Sequence, residues 1–265
     1  MKFDSDTVIF SITNGKEGYP EMAAVWASFL DKLNINNYII YCLDKESFAY
    51  LNERGIGCEL VRKDPKIKYK LFEEKEARFN ERFGLIAAYK LMIAKDLLKQ
   101  GKNIIFADTD ALFCHNPIPL INRLLTQHDC LLSTDAPSHA HPKKIRDQMG
   151  FTLCSGFFVF KASPKAVNFI SGLQEYLSHY SDLQARLNFY LWAYLTPRSE
   201  RGCAYSFLGR GLSIKLLPQE VVRRTRDAET DSCIVHCTGR PKGVIPRASE
   251  IYKKLYGTTK GFPRK

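Results

Sequence analysis

The sequence has no run approaching about 18 consecutive apolar residues, so it contains no helix able to cross a membrane. No Cys-x-x-Cys pair occurs among its eight cysteines, Cys42, Cys58, Cys114, Cys130, Cys154, Cys203, Cys233 and Cys237. Most of them sit in apolar runs such as Tyr41-Cys42-Leu43 and Asp129-Cys130-Leu131. They read as small buried hydrophobes in a reducing compartment rather than as disulfide halves. Their spacing disfavours zinc; Cys233 and Cys237 flank His236, but only as one irregular cluster. No RNA-binding or zinc-finger signature is present, so no nucleic-acid partner is expected. Internal repeats, long linkers and low-complexity segments are also missing. At the start, Met1-Lys2-Phe3-Asp4-Ser5-Asp6 places acids where a secretion signal needs a basic start and a long apolar stretch. Export by that route is not expected, and a cytoplasmic location is.

What is present is ordinary for a globular chain: 45% hydrophobic and 25% charged residues over 265 positions, enough to bury a core and to exclude wholesale disorder. Acids are in deficit. Lys and Arg number 39 against 28 Asp and Glu, for a formal charge of +11. The excess is uneven. Arg240 to Lys265 holds eight basic residues and one acid, Glu250, so it alone carries +7. A second basic run is Arg62-Lys63-Asp64-Pro65-Lys66-Ile67-Lys68-Tyr69-Lys70. A charge run is usually a solvated face; the functional alternatives are an anionic membrane or an acidic polymer. In the tail, Ile251 and Leu255, and Tyr252 and Tyr256, are spaced by four. A short helix there would present an apolar edge, either docked on its own domain or laid on an anionic membrane.

The apolar pattern alternates between strand and helix. Strands are expected at 7–12, 38–43, 58–61 and 103–107, with helices at 22–33, 46–54 and 85–98 between them. Further on, a helix is expected near 119–125, strands at 130–133 and 153–161, helices at 166–178 and 183–195, and short strands at 213–217 and 234–236. Such alternation argues for an α/β fold with a mostly parallel central sheet and helices on both faces. One domain over 1–242 with a basic C-terminal extension, 243–265, is the simplest division.

The most informative segment is Asn103-Ile104-Ile105-Phe106-Ala107-Asp108-Thr109-Asp110, an apolar strand running straight into Asp-Thr-Asp. Ligands of open α/β sheets sit beyond the carboxyl ends of strands. Two acids at that point can turn toward one hard cation, Mn²⁺ or Mg²⁺, which can then bind a diphosphate. A solvated turn is the plain alternative. A second segment, Ile234-Val235-His236-Cys237-Thr238-Gly239-Arg240-Pro241-Lys242, supplies complementary chemistry. His236 can be a neutral nitrogen ligand, Gly239 lets backbone approach a phosphate closely, and Lys242 adds a point charge.

Taken together and in order, these residues resemble the nucleotide-diphospho-sugar transferases of the type-A glycosyltransferase fold. More distantly they are similar to the glycogenin and lipopolysaccharide galactosyltransferase group. The resemblance runs from Thr7 to about Lys242. It implies a divalent metal held by Asp108, Asp110 and His236, with Gly239 and Lys242 on the diphosphate. It also implies that the loop Ser11-Ile12-Thr13-Asn14, through Thr13 and Asn14, holds the nucleoside, that Lys90 contacts the donor, and that Asp135 binds donor-sugar hydroxyls. Two motifs depart from the family pattern. Cys154-Ser155-Gly156-Phe157 lacks the usual leading Asn, leaving Ser155 and Gly156 beneath the sugar. Gln184-Ala185-Arg186-Leu187-Asn188 is preceded by Leu183, with the family's acid one place earlier as Asp182. Either Asp182 replaces that acid through a local shift or the sugar pocket is altered.

The implied reaction is attack by an acceptor hydroxyl on the anomeric carbon of a nucleoside-diphosphate sugar, a UDP-sugar first among donors. The acceptor would be a glycan, a lipid-linked glycan or a protein, and the basic tail could hold the enzyme at the inner face of a membrane. If configuration is retained, as the Gln184 match hints, Gln184 lies on the sugar face opposite the leaving group. If it is inverted, a carboxylate base is needed, with Asp182 or Asp135 as possibilities. Two rivals differ in class. One is a phosphatase of the haloacid dehalogenase type, which Ala111-Leu112 after the second Asp disfavours. The other is a catalytically inactive nucleotide-sugar-binding module.

Overall fold

The computed structural model describes residues 6–62, 77–135, 142–176, 183–192, 206–209, 211–237 and 239–263. In chain order they form β1 (Thr7–Thr13), α1 (Tyr19–Lys32), β2 (Tyr38–Cys42), α2 (Lys45–Asn52), β3 (Cys58–Leu60), α3 (Ala77–Lys99), β4 (Asn103–Ala107) and β5 (Ala111–Phe113). There follow α4 (Ile118–Leu125), β6 (Cys130–Thr134), α5 (Lys143–Met149), β7 (Leu153–Phe160), α6 (Pro164–Tyr176) and α7 (Leu183–Trp192). The chain ends with β8 (Ser206–Gly209), β9 (Leu212–Leu217), β10 (Val222–Thr225), β11 (Ile234–Cys237) and α8 (Pro241–Tyr256). The fold is α/β. The central sheet is parallel through β1, β2 and β3 and antiparallel at β6–β7 and β8–β9.

The chain divides into two compact units, one of 1–62, 105–123 and 217–265, the other of 63–104 and 124–216. In the first unit the strand order is β3-β2-β1-β4, beside a small sheet ordered β10-β11-β5. Val8 to Ile12 supply the β-branched and aromatic side chains that suit a buried strand. Helix α1 begins at Tyr19, earlier than the apolar spacing predicts, because Pro20 fits its first turn and Gly18 turns the chain with φ of 81°. Asp44 caps α2 by accepting from the Ser47 backbone at 2.9 Å. Trp26, Phe29, Phe10, Phe106 and Phe113 are fully buried and stack edge to face, Phe10 on Phe106 and Trp26 on Phe113.

The second unit holds β7-β6-β9-β8 with α3, α5, α6 and α7. Its core is aromatic, with Phe160, Phe169 and Tyr190 in successive ring contacts. The β6–β7 pairing shifts register between Leu132 and Thr134, placing Thr134 opposite Leu153.

The predicted elements are present with shifted ends, and five features were not foreseen: β5, α5, β8, β10 and the full length of α8. The last is instructive. Pro246 lies inside α8, where a proline removes one helical bond, yet the helix runs sixteen residues. Val244, Ala248, Ile251 and Tyr252 line one face and are fully buried against Met22, Val25 and Phe29 of α1 and Leu112, Val235 and Cys237 of β5 and β11. That burial outweighs the lost bond. The apolar edge of the basic tail is thus docked within its own unit.

Candidate metal centre and donor-binding residues

Three side chains converge in the first unit. After β4 ends at Ala107, the Ala111 backbone N–H donates to the Asp108 carbonyl at 2.8 Å, closing a tight turn around Thr109 and Asp110. The chain leaves this turn as β5, which pairs antiparallel with β11 so that Ala111 faces His236. The Cys237 N–H donates to the Asp110 carbonyl at 2.8 Å and locks the turn to β11. His236 Nε2 lies 3.1 Å from Asp110 Oδ1. One ligand atom from each of Asp108, Asp110 and His236 lies within 4.8 Å of the others, the one such group among the described residues. The two carboxylates are half-buried and the imidazole is buried. Two hard oxygens and a nitrogen, convergent within that distance, suit a divalent ion such as Mn²⁺ or Mg²⁺.

The same unit carries the residues expected at the diphosphate and nucleoside. Gly239 has φ of 144°, a conformation that side chains rarely adopt. Arg240 then caps α8 and Lys242 stands exposed in its first turn, so a positive side chain and a helix N-terminus coincide. Thr13 accepts from the Leu43 N–H through its carbonyl at 2.9 Å. Its hydroxyl is buried with no hydrogen-bond partner among the described residues. Asn14 accepts from the Lys16 N–H at 3.1 Å, which shapes the loop. Gly15 N–H donates to Asp44 at 2.6 Å. Burial pushes the Asp44 carboxyl up, but the bonds from Gly15 and Ser47 prevail and hold it below the usual carboxylate range. Asp44 was not singled out by its sequence, although an Asp three residues before Ser47 carries a capping signal. A Cβ at Gly18 would lie 2.7 Å from Pro241 Cβ, so the β1–α1 loop rests directly on the start of α8. No local pattern announces that contact.

The second unit brings another set together. Gln184 donates from Nε2 to Asp135 at 2.7 Å, and both are buried. Asp135 N–H donates to the Thr152 carbonyl at 2.7 Å. Asn188 accepts from the Leu153 N–H at 2.8 Å and donates to the Leu153 carbonyl at 2.9 Å. It therefore fastens α7 to the start of β7, a role its place in the motif did not reveal. Ser155 is half-buried on β7, Gly156 is buried beside it, and Lys90 is buried on α3. Asp182 lies outside the described residues.

The seven described cysteines are free thiols, and none joins the metal-binding group. Burial pushes the thiols of Cys42, Cys114 and Cys237 up to about 12, which keeps them protonated. Cys203 lies outside the described residues.

Solved structures share this fold at low identity. The bifunctional glycosyltransferase WbbM superposes with a TM-score of 0.57 at 11% identity, covering 96% of this chain and 52% of that one. The galactosyltransferase LgtC, in complex with donor and acceptor sugar analogues, gives 0.53 at 11% identity, covering 92% and 96%. A UDP-galactose:fucoside alpha-3-galactosyltransferase of Dictyostelium discoideum is 22% identical over 195 residues, 66% of this chain and 29% of the relative. A beta-arabinofuranosyltransferase of Arabidopsis thaliana is 26% identical over 189 residues, 67% and 33%. The chain spans about a third of the length of these curated relatives. The model of the family described as nucleotide-diphospho-sugar transferase matches residues 33–244, most of the chain and a span that includes Asp108-Thr109-Asp110 and His236 to Lys242. The chain belongs to the nucleotide-diphospho-sugar transferase family.

Proposed function

We propose that the chain is a metal-dependent glycosyltransferase that moves a sugar from a nucleoside-diphosphate donor to an acceptor hydroxyl. The observation that carries this reading is the convergence of Asp108, Asp110 and His236 at the end of β4. Asp108, Asp110 and His236 would hold a Mn²⁺ or Mg²⁺ ion, which would supply Lewis-acid stabilisation to a leaving diphosphate. Lys242 and the N-terminus of α8 offset the same charge from the protein side. Thr13 and Asn14 hold the nucleoside, and the buried, unpartnered Thr13 hydroxyl is available to it. In this reading Lys90 contacts the donor and assists the leaving diphosphate, while Ser155, Gly156 and Asp135 face the donor sugar. Gln184, oriented by its bond to Asp135, lies across the sugar from the leaving group in a retaining reaction. In an inverting reaction Asp182 or Asp135 is the base.

A UDP-sugar is the first donor to test, with a glycan, lipid-linked glycan or protein as acceptor. Titration calorimetry of UDP with and without Mn²⁺, followed by release of UDP from a panel of UDP-sugars, tests the reading. Metal-dependent binding with donor turnover is the expected result. Cys154 in place of the family's Asn favours one alternative, an inactive module, which would bind the donor and never release the diphosphate.

A further inference from the structure

Strand β10 runs parallel to β11, with Val222, Arg223, Arg224 and Thr225 in register with Ile234, Val235, His236 and Cys237. Side chains in register on neighbouring strands project from the same face, on strands about 4.8 Å apart. Arg224 therefore shares the face that carries His236, on the side away from Ala111. An extended arginine is longer than the strand spacing, so a guanidinium carried at this position has the length to reach the space above the imidazole. The opposite face is accounted for differently. There Val235, Leu112 and Cys237 pack under α8, and Arg223 is ion-paired with Glu229. The two adjacent arginines thus stand on opposite faces of the strand, Arg223 on the face under α8 and Arg224 in the row of His236.

Charge balance gives Arg224 a reason to be there. Two carboxylates and a divalent ion cancel, so a bound diphosphate brings more negative charge than Lys242 alone offsets. A guanidinium presents a planar fork of donors that matches phosphate oxygens two at a time, and it gives up hydration more readily than an ammonium. Arg224 is half-buried, where such a contact is screened less than at the open surface. We infer that Arg224 is a second phosphate-binding cation, contacting the donor diphosphate from β10 while Lys242 contacts it from α8. This inference rests on the donor reading proposed above.

The test uses the full chain and two probes, UDP by calorimetry and uridine by saturation-transfer NMR, each with Mn²⁺ and with EDTA. Arg224→Ala and Arg224→Gln are expected to weaken UDP by about 10- to 100-fold in the presence of Mn²⁺, the size of a lost charge-assisted bond, with EDTA as the metal-free reference. Uridine binding should be unchanged, because the lost charge faces phosphate alone. Arg223→Ala, one residue away on the other face, should leave UDP affinity within twofold. The glutamine variant keeps most of the side chain's bulk, and its thermal midpoint near that of the parent separates binding from folding. Unchanged UDP affinity in both Arg224 variants, or equal weakening of UDP and uridine, overturns the inference while parent binding upholds the donor reading. A parent chain that binds no nucleoside diphosphate overturns both.

Discussion

Asp108 and Asp110 stand half-buried just beyond the end of β4 and outside the apolar core, so their charges can be removed without opening it. Asp108→Asn and Asp110→Asn are each expected to abolish Mn²⁺-dependent donor turnover. Mn²⁺ should raise the thermal midpoint of the parent by mass action and leave that of either variant unmoved. Full turnover in both variants would sink the metal-dependent mechanism. Lys242→Ala should weaken a nucleoside diphosphate by about 10- to 150-fold and spare the nucleoside, read by the same pair of titrations. Asp44 makes a different prediction. Its carboxyl lies below the usual range in the folded chain, so its contribution to stability is present above about pH 4 and is lost as pH falls through its folded value. Asp44→Ala removes the α2 cap and the Gly15 anchor, costing about 1–2 kcal/mol at neutral pH, with a smaller cost in acid; chemical denaturation at two pH values checks it. At this scale the paired acids at a strand end were legible, because an apolar strand running into Asp-Thr-Asp is a local pattern. The pairing of Gln184 with Asp135 was not, because it joins residues far apart in the chain.

In the proposed reading helix α8 sets the diphosphate end of the site. Its start carries Lys242, and its body is held by Val244, Ala248, Ile251 and Tyr252. Ile251→Ala is expected to cost about 2–5 kcal/mol of stability by denaturant unfolding, since the side chain is fully buried. Gly18→Ala should strain the αL turn by about 1–2 kcal/mol and push Pro241 away, weakening UDP more than uridine. Equal effects on both ligands would mean that the turn supports only the nucleoside loop. Most of the helices and strands could be read from apolar spacing. Strand β5 could not, because three residues after a turn carry no period of their own. The greater part of α8 was hidden by Pro246 and by a charge-rich sequence whose buried positions show only once α1 is beside it.

Across the whole molecule the excess of basic residues remains an unabsorbed feature, +11 in all. Among the described residues no helix is long and apolar enough to cross a membrane. The Ile251 and Tyr252 side chains are committed to the core, so any hold on an anionic membrane rests on charge, including exposed Lys253. Lys254 is already engaged by Glu250 at 3.0 Å and by the Ala228 carbonyl at 2.9 Å. Co-sedimentation with anionic vesicles is therefore expected only at low salt and not with neutral ones, because screening removes it. Binding that survives high salt would point to an inserted apolar surface instead. The sequence by itself determined the α/β class, the acids at a strand end and the His-x-x-Gly-x-x-Lys segment, because each depends on residues close together in the chain. Only the tertiary structure decided that His236 meets Asp110, that Arg224 stands in its row, and that the basic tail is a docked helix. Those outcomes depend on strand register and on which faces are buried together, and local side-chain preference encodes neither.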